Sequence, residues 1–305
     1  MPRLEGSFQP GGNDFTGYRP DIEDREEILK GSAPYQRLLS SQEWRELDLF
    51  SWWRVRNQAS KGSCRGHSLA ANGKLCYFIN AGLPDLDQDG KPNEENLQDD
   101  FSPDWCYYRC QKYDNIRGDN GATIAAGVKV GMNEGLVREV DLPYEVSYQP
   151  GRASDSLLPK ASPFKFGRYS ELSTAEELFD WVGSGQGGID WGTVWPLPFT
   201  KGCLVKGLSR NARGGGHATA GGTLLRGATV KKLVPSLANE LTDDEWVLQC
   251  MNSHSSSAQF KGFYFVTMEG CQQILRHEWT TAIGWSDMST PEVRPFNFVK
   301  KSVFQ

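Results

Sequence analysis

Residues 58–69, Gln-Ala-Ser-Lys-Gly-Ser-Cys-Arg-Gly-His-Ser-Leu, constrain this chain most. Small residues lead directly into a helical pattern, in which Leu69, Cys76 and Ile79 recur at helical spacing and Gly82 offers a stop. Ser63 is a capping residue type, so Cys64 falls in or beside the first helical turn. The dipole of a helix start favours a thiolate over a thiol. Taken alone, Gly-Ser-Cys suits a buried core cysteine equally well. Gln58 adds something further: an amide six residues upstream can fold back beside the sulfur and donate to a developing oxyanion.

A thiolate nucleophile needs a base and an orienter for that base. The chain holds four histidines, 67, 217, 254 and 277. His67 shares a helix with Cys64, where in-line proton transfer is rarely aligned, and His277 lies in a polar stretch that reads as surface. His217 sits in Gly214-Gly-Gly-His-Ala-Thr-Ala-Gly-Gly222, whose glycines permit close approach of backbone and substrate. Asn252-Ser253 follows the apolar run Trp246–Met251, and Gly262-Phe-Tyr-Phe265 comes next. Gln, then Gly-Ser-Cys on a helix, then Gly-flanked His, then Asn-Ser after a strand resembles the papain-like cysteine peptidases. Thr16-Gly-Tyr-Arg-Pro-Asp21 and Asp48–Asn57 resemble the lead-in segments of bacterial members of that family, and too few residues precede them for a full inhibitory propeptide. Residues 1–45 still suffice to cover a cleft.

The resemblance covers about residues 16–270. It implies an α+β, two-lobed papain-like fold: a helical lobe, an antiparallel β-barrel-like lobe, and a cleft between them. The expected division is 1–57 as extension and lead-in, 58–160 as helical lobe and 161–305 as β-rich lobe. It also implies roles: Cys64 attacks a peptide carbonyl, with its sulfur open to the groove. His217 pairs with the thiolate and protonates the leaving amine, Asn252 orients the imidazole, and Gln58 with the Cys64 N–H holds the oxyanion. Asn120, Gly121 and Ala122 resemble the wall along which an extended peptide lies. The expected partner is therefore a peptide or protein substrate, and no cofactor is required.

Several positions depart from the pattern. Lys61 replaces the cysteine that usually forms a disulfide, and Arg65 replaces the aromatic residue after the nucleophile. His254 stands where a tryptophan usually shields the His–Asn bond, which predicts a more exposed bond here. His217 and Asn252 lie 153 and 188 residues beyond Cys64, against roughly 130–150 in the family signature; residues 226–245 read as a polar insertion between strands. The altered shell keeps two other readings open: a papain-like scaffold used for binding or assembly, and an amidase or acyl transferase with the same thioester.

Bulk properties exclude other classes. A net charge of −5 without a Lys/Arg cluster argues against nucleic acid as partner. No apolar run approaches the ~20 residues of a membrane span, so no membrane partner is expected. The first residues lack the apolar core of a secretion signal. Seven cysteines, an odd number, then point to free thiols in a cytoplasmic or otherwise reducing compartment. Cys106 and Cys110 lie one turn apart with no second pair spaced for zinc. Asp85, Asp87, Asp89 and Gly90 match half of a calcium loop, which makes them a candidate structural Ca²⁺ site. Pro92 and Asn96 break its second half, so a solvated acidic loop is the competing reading.

Along the chain, Ser102-Pro-Asp-Trp starts a helix, residues 120–124 start another, and Ser173-Thr-Ala-Glu176 opens a third with a capping-box pattern. Strand texture follows at 188–194, after His217, at 246–251 and at 263–267.

Overall fold

The computed structural model describes residues 17–21, 30–47, 55–81 and 100–289. The Asp85, Asp87 and Asp89 half-loop lies outside the described residues. So do Thr16 and residues 48–54 of the lead-in.

Helix α1 (Cys64–Ala81) is the axis of the molecule. Every residue from Cys64 to Phe78 is buried, so the helix has no solvent face and little amphipathic pattern. Its polar residues are paired inside. Ser68 donates to Asp190 at 2.6 Å, Asn72 to Ile189 O at 3.3 Å, and Lys74 pairs with Asp100. Helix α2 (Pro103–Tyr113) begins as its sequence predicts: Ser102 accepts from the Trp105 N–H at 3.1 Å and proline occupies the first position. It packs on α1 so closely that a side chain at Gly66 would lie 2.3 Å from Pro103 O. Strand β1 (Tyr18–Arg19) runs parallel to β2 (Ala122–Thr123), which leads into helix α3 (Ile124–Lys129).

The second half is built on a sheet. Its strands are β3 (Arg168–Glu171), β4 (Ile189–Trp195), β5 (Phe199–Thr200), β6 (Leu204–Val205), β7 (Gly215–Arg226), β8 (Trp246–Met251), β9 (Phe263–Thr267) and β10 (Thr281–Ser286). The order is β3-β10-β4-β7-β8-β9-β6-β5, antiparallel except for β6 beside β9. The barrel-like lobe expected from sequence is thus an open sheet. Its end strands, of four and two residues, are too short to close it. Short helix α4 (Leu158–Ala161) lies in the crossing segment before β3. Helices α5 (Ala175–Gly183) and α7 (Met268–Leu275) cover a core of Trp181, Trp191, Leu224 and Leu248.

Two local expectations shift. The capping box at α5 pairs Thr174 with Glu177, one residue later than the Ser173–Glu176 reading, because Glu177 also accepts from the Ser173 N–H. The 226–245 segment is not simply polar. It folds helix α6 (Gly227–Leu233) over a core of its own, in which Val230, Val234, Leu237 and Leu241 meet Leu225, Val247 and Phe265.

One buried ion pair ties the two halves together. Arg65 Nη1 lies 2.7 Å from Asp190 Oδ2 with both side chains fully buried, and Arg65 Nε donates to Thr123 O at 3.0 Å. Removing one partner of such a pair strands the other charge without water. Arg65→Ala is expected to lower the unfolding free energy by about 3–5 kcal/mol. Denaturant midpoints of the two proteins measure this, and a loss below about 1 kcal/mol, within the range of exposed ion pairs, would contradict it.

Candidate active site

The geometry begins at the residue that starts α1. The first helical bond runs from the His67 N–H to Ser63 O at 3.1 Å, which places Cys64 in the first turn. The Ser63 hydroxyl lies 2.9 Å from the Tyr144 hydroxyl. The loop before it is pinned by Lys61, the residue standing in place of a disulfide cysteine. Its ammonium is buried against Asp104 at 2.5 Å and Glu145 O at 2.6 Å, and burial lowers its pKa. None of the seven cysteines is in a disulfide and all are buried, as the missing partner at 61 implies for Cys64. No group of metal-ligating side chains occurs among the described residues, Cys106 and Cys110 included.

Strand β7 brings His217 to this helix start. The Ala218 N–H donates to Cys64 Sγ at 3.4 Å, so the residue after the histidine touches the sulfur. His217 Nε2 lies 2.7 Å from Asn252 Oδ1, at the end of β8. The orientation of the Asn252 amide follows from its neighbours. Oδ1 also accepts the Ser253 N–H at 2.7 Å, and Nδ2 donates to Gln259 Oε1 at 2.8 Å. An acceptor oxygen facing Nε2 requires the hydrogen to be on Nε2. That leaves Nδ1, buried and without a hydrogen-bond partner, as the nitrogen able to take a proton from the sulfur side.

Gln58 joins the same cluster. Its N–H donates to Ser253 O at 2.8 Å, its Oε1 accepts from the Ser253 hydroxyl at 2.5 Å, and its Nε2 donates to Lys61 O at 2.9 Å. The amide is therefore fixed with its donor end toward the 61–64 loop. Sequence reasoning reached Cys64, His217, Asn252 and Gln58, but not the Ser253 hydroxyl or Gln259. No spacing pattern points to the latter: Gln259 sits in a loop at φ 43°, outside any motif.

The His217–Asn252 pair is not exposed; each residue is 1 % accessible. Trp195 of β4 lies 4.5 Å from the His217 ring and His254 lies 4.7 Å from it, centroid to centroid, so two rings do the covering. Burial pushes the His217 pKa down to about 3, with repulsion from His254 adding and the Asn252 bond opposing. His67 is held by Ser63 O at 3.0 Å and edge-on to Tyr144, likewise lowered to about 3 by burial. His277 is buried, not surface: its Nε2 lies 3.0 Å from Ala212 O.

The groove expected beside Gly121 is filled by the chain itself. The Gly121 N–H donates to the Tyr107 hydroxyl at 3.2 Å, and the Asn120 side chain to Arg117 O at 2.7 Å. The neighbouring Ala122 N–H donates to Gly17 O at 2.9 Å. Strand β1 thus occupies the wall. Gly17, at φ +103°, passes so close to Gly62 that a Cβ would lie 1.9 Å from Gly62 O, which only glycine permits. Tyr18 is fully buried, with its ring where a side chain on Gly192 would lie and its carbonyl against Gly216. Its hydroxyl donates to Trp279 O at 2.8 Å and lies 3.2 Å from Asp21. Asp21 accepts the Ala125 N–H at 2.7 Å. Cys64 is 0 % accessible, against the expectation of a sulfur open to the groove. The Gly17–Asp21 strap lies between the segment before the cysteine and the segment before the histidine.

Neither a protein-family model nor a curated protein matches the sequence. Solved structures do match. The cysteine protease xylellain from Xylella fastidiosa aligns at TM-score 0.62 and 18 % identity, over 92 % of this chain and 97 % of that one. The cysteine protease and lectin-like domains of Cwp84 from Clostridium difficile align at TM-score 0.59 and 15 % identity, over 91 % and 61 %. Procathepsin B from Trypanosoma congolense aligns at TM-score 0.57 and 11 % identity, over 90 % and 87 %. At these identities the likeness is one of fold, and the chain has the papain-like fold.

Proposed function

We propose that this chain, which has the papain-like fold, is a cysteine peptidase that cleaves peptide bonds through a thioester on Cys64. The observation that carries the reading is the convergence of Cys64, His217–Asn252 and Gln58–Ser253 from separate segments. His217 takes the thiol proton at Nδ1. The resulting thiolate, at the start of α1, attacks the carbonyl carbon of the scissile bond. The oxyanion is met by the Gln58 amide and the Cys64 N–H. Imidazolium Nδ1–H then protonates the leaving amine as the C–N bond breaks, and water hydrolyses the thioester with His217 again as base. Asn252, locked by Ser253 and Gln259, holds the ring for both transfers.

The chain as described is the resting form. The strap fills the wall between Gly62, Ala122 and Gly216, Cys64 is fully buried, and burial keeps His217 neutral. Gly17 O occupies the Ala122 N–H of the wall along which an extended peptide would lie, so in this reading the strap leaves before substrate binds. Water admitted by that movement removes the burial that disfavours the imidazolium.

Digestion of a peptide library, with products read by mass spectrometry, tests the function; wild-type cleavage that is lost on alkylation of Cys64 is the expected result. Gln58→Ala is expected to cost ~10²–10³ in kcat with a smaller change in KM, since an oxyanion donor acts in the transition state. An equal rise in KM with kcat intact would remove Gln58 from that role. The full burial of Cys64 favours one second reading, a scaffold for binding or assembly. A library left uncut by protein lacking the strap, with Cys64 inert to alkylation, would select it. Preferential transfer of the acyl group to an added amine would instead assign an amidase or acyl transferase.

A further inference from the structure

His254 packs against the His217 ring, yet the proposed reaction leaves it unused. It lies in the loop after β8, tied to the lead-in by a bridge to Asn57 and by the Ser255 N–H donating to Arg56 O at 3.1 Å. Its ring lies 4.7 Å from that of His217 at 31°, closer to parallel than to edge-on, and 6.4 Å from Trp195 at 87°. Three rings therefore pack together around the group that must become a cation during turnover. An apolar ring in this place stays neutral at every pH. An imidazole does not.

The two histidines that face His254 acquire the same charge that it does. His217 faces it from β7 and His67 from α1, each repelled by protonated His254. Arg56 of the lead-in and Lys61 of the nucleophile loop act on His67 in the same direction. Arg56 is itself paired with Asp100 and Glu139, and Lys61 with Asp104. Trp195 adds no charge. Among the described residues no carboxylate forms an ion pair with His254. A second proton arriving here therefore has no counter-charge of its own.

We propose that His254 is a positioning residue for His217 that works only while neutral. Its uncharged ring packs against the imidazole and covers its bond to Asn252, and its protonated ring sets a cation beside the imidazolium that catalysis requires. Packed on the ring itself, the new cation opposes the imidazolium at close range, and the ion pair collapses to thiol and neutral imidazole. Acidification then removes activity by two protonations, one at the catalytic pair and one at His254. Burial lowers the His254 pKa from its ordinary value, which confines this shut-off to pH below the usual histidine range.

The inference rests on the peptidase reading, and the test separates the two. The acid limb of kcat/KM is measured for full-length wild type, His254→Phe and His254→Gln. Wild type is expected to fall more steeply than either variant, by about a further tenfold per pH unit at its steepest, one proton having been removed in the variants. Any contribution of the strap is common to the three proteins and cancels. The ring nitrogens of His217, followed by NMR in the same proteins, give a readout without turnover. Its protonation is expected at least about one pH unit higher in both variants. Superimposable acid limbs and unchanged His217 titrations overturn the proposal. Should neither variant fold, wild-type NMR decides: mutually displaced titrations of His217 and His254 support it, and independent ones refute it. No cleavage by any of the proteins, nor by the same three carrying Tyr18→Ala, with the ring titrations still coupled, would instead remove the peptidase reading.

Discussion

Cys64→Ala is expected to lower peptide hydrolysis by ~10⁴-fold or more, with the folded protein otherwise intact. Residues that act as one unit lose nearly everything when one member goes, and what survives comes from binding and the oxyanion donors. No second thiol can substitute. Cys76 is pushed up to about 12 by burial, and burial raises Cys106, Cys110, Cys203, Cys250 and Cys271 as well. None of these starts a helix beside a histidine. Initial rates on any peptide that wild type cleaves, with circular dichroism as the folding control, make the check. Turnover within about tenfold of wild type would falsify the assignment of the nucleophile.

Tyr18→Ala is expected to act in the opposite direction, raising the activity of the resting chain by roughly 10- to 100-fold. The figure follows from the side chain: burying a large apolar group contributes about 1.5–3 kcal/mol, and here that burial holds the strap down. Its loss shifts the population toward the open groove. The effect carries a pH signature through Asp21, whose pKa is raised from 3.8 to about 7 in the seated strap by burial. The Ala125 N–H, Arg65 and the Tyr18 hydroxyl oppose that shift and Asp114 adds to it. A carboxyl with a raised pKa in the seated state favours seating while protonated. Seating therefore weakens as pH rises from about 4 to about 7 and weakens no further above that. Activity of wild type should climb through this window more steeply than that of Asp21→Asn. A Tyr18→Ala protein no more active than wild type, with Cys64 still shielded from alkylation, would contradict the role given to the strap.

The sequence made legible what is local. Gln58, Cys64, His217 and Asn252 each sit at a junction with its own signal: small residues into a helix, glycines into a strand, an apolar run ending in Asn-Ser. Helix α2 announced its cap and its first proline. The contacts between distant segments were not legible. Tyr18 reads as one aromatic residue in a polar stretch, and nothing in its neighbours says that Gly192 leaves room for its ring 174 positions on. Helix α1 hides its burial because Arg65, Ser68, Asn72 and Lys74 are residue types usually left in water, whereas each is matched by a partner elsewhere in the chain. His277 misled for the same reason: polar neighbours in sequence did not show the Ala212 carbonyl that holds it. The shielding of His217 fell in part to Trp195, which lies on a strand formed well before the histidine and carries no motif.

The most direct test of the account is the rate of Cys64 alkylation by iodoacetamide against pH, measured in Tyr18→Ala protein with and without His217→Ala. The account predicts a sulfur that reacts well below the ordinary thiol range of about 8.5, and that moves back into that range when the imidazole is removed. Identical profiles in the two proteins, both those of an ordinary thiol, would show that residues 64 and 217 share no proton.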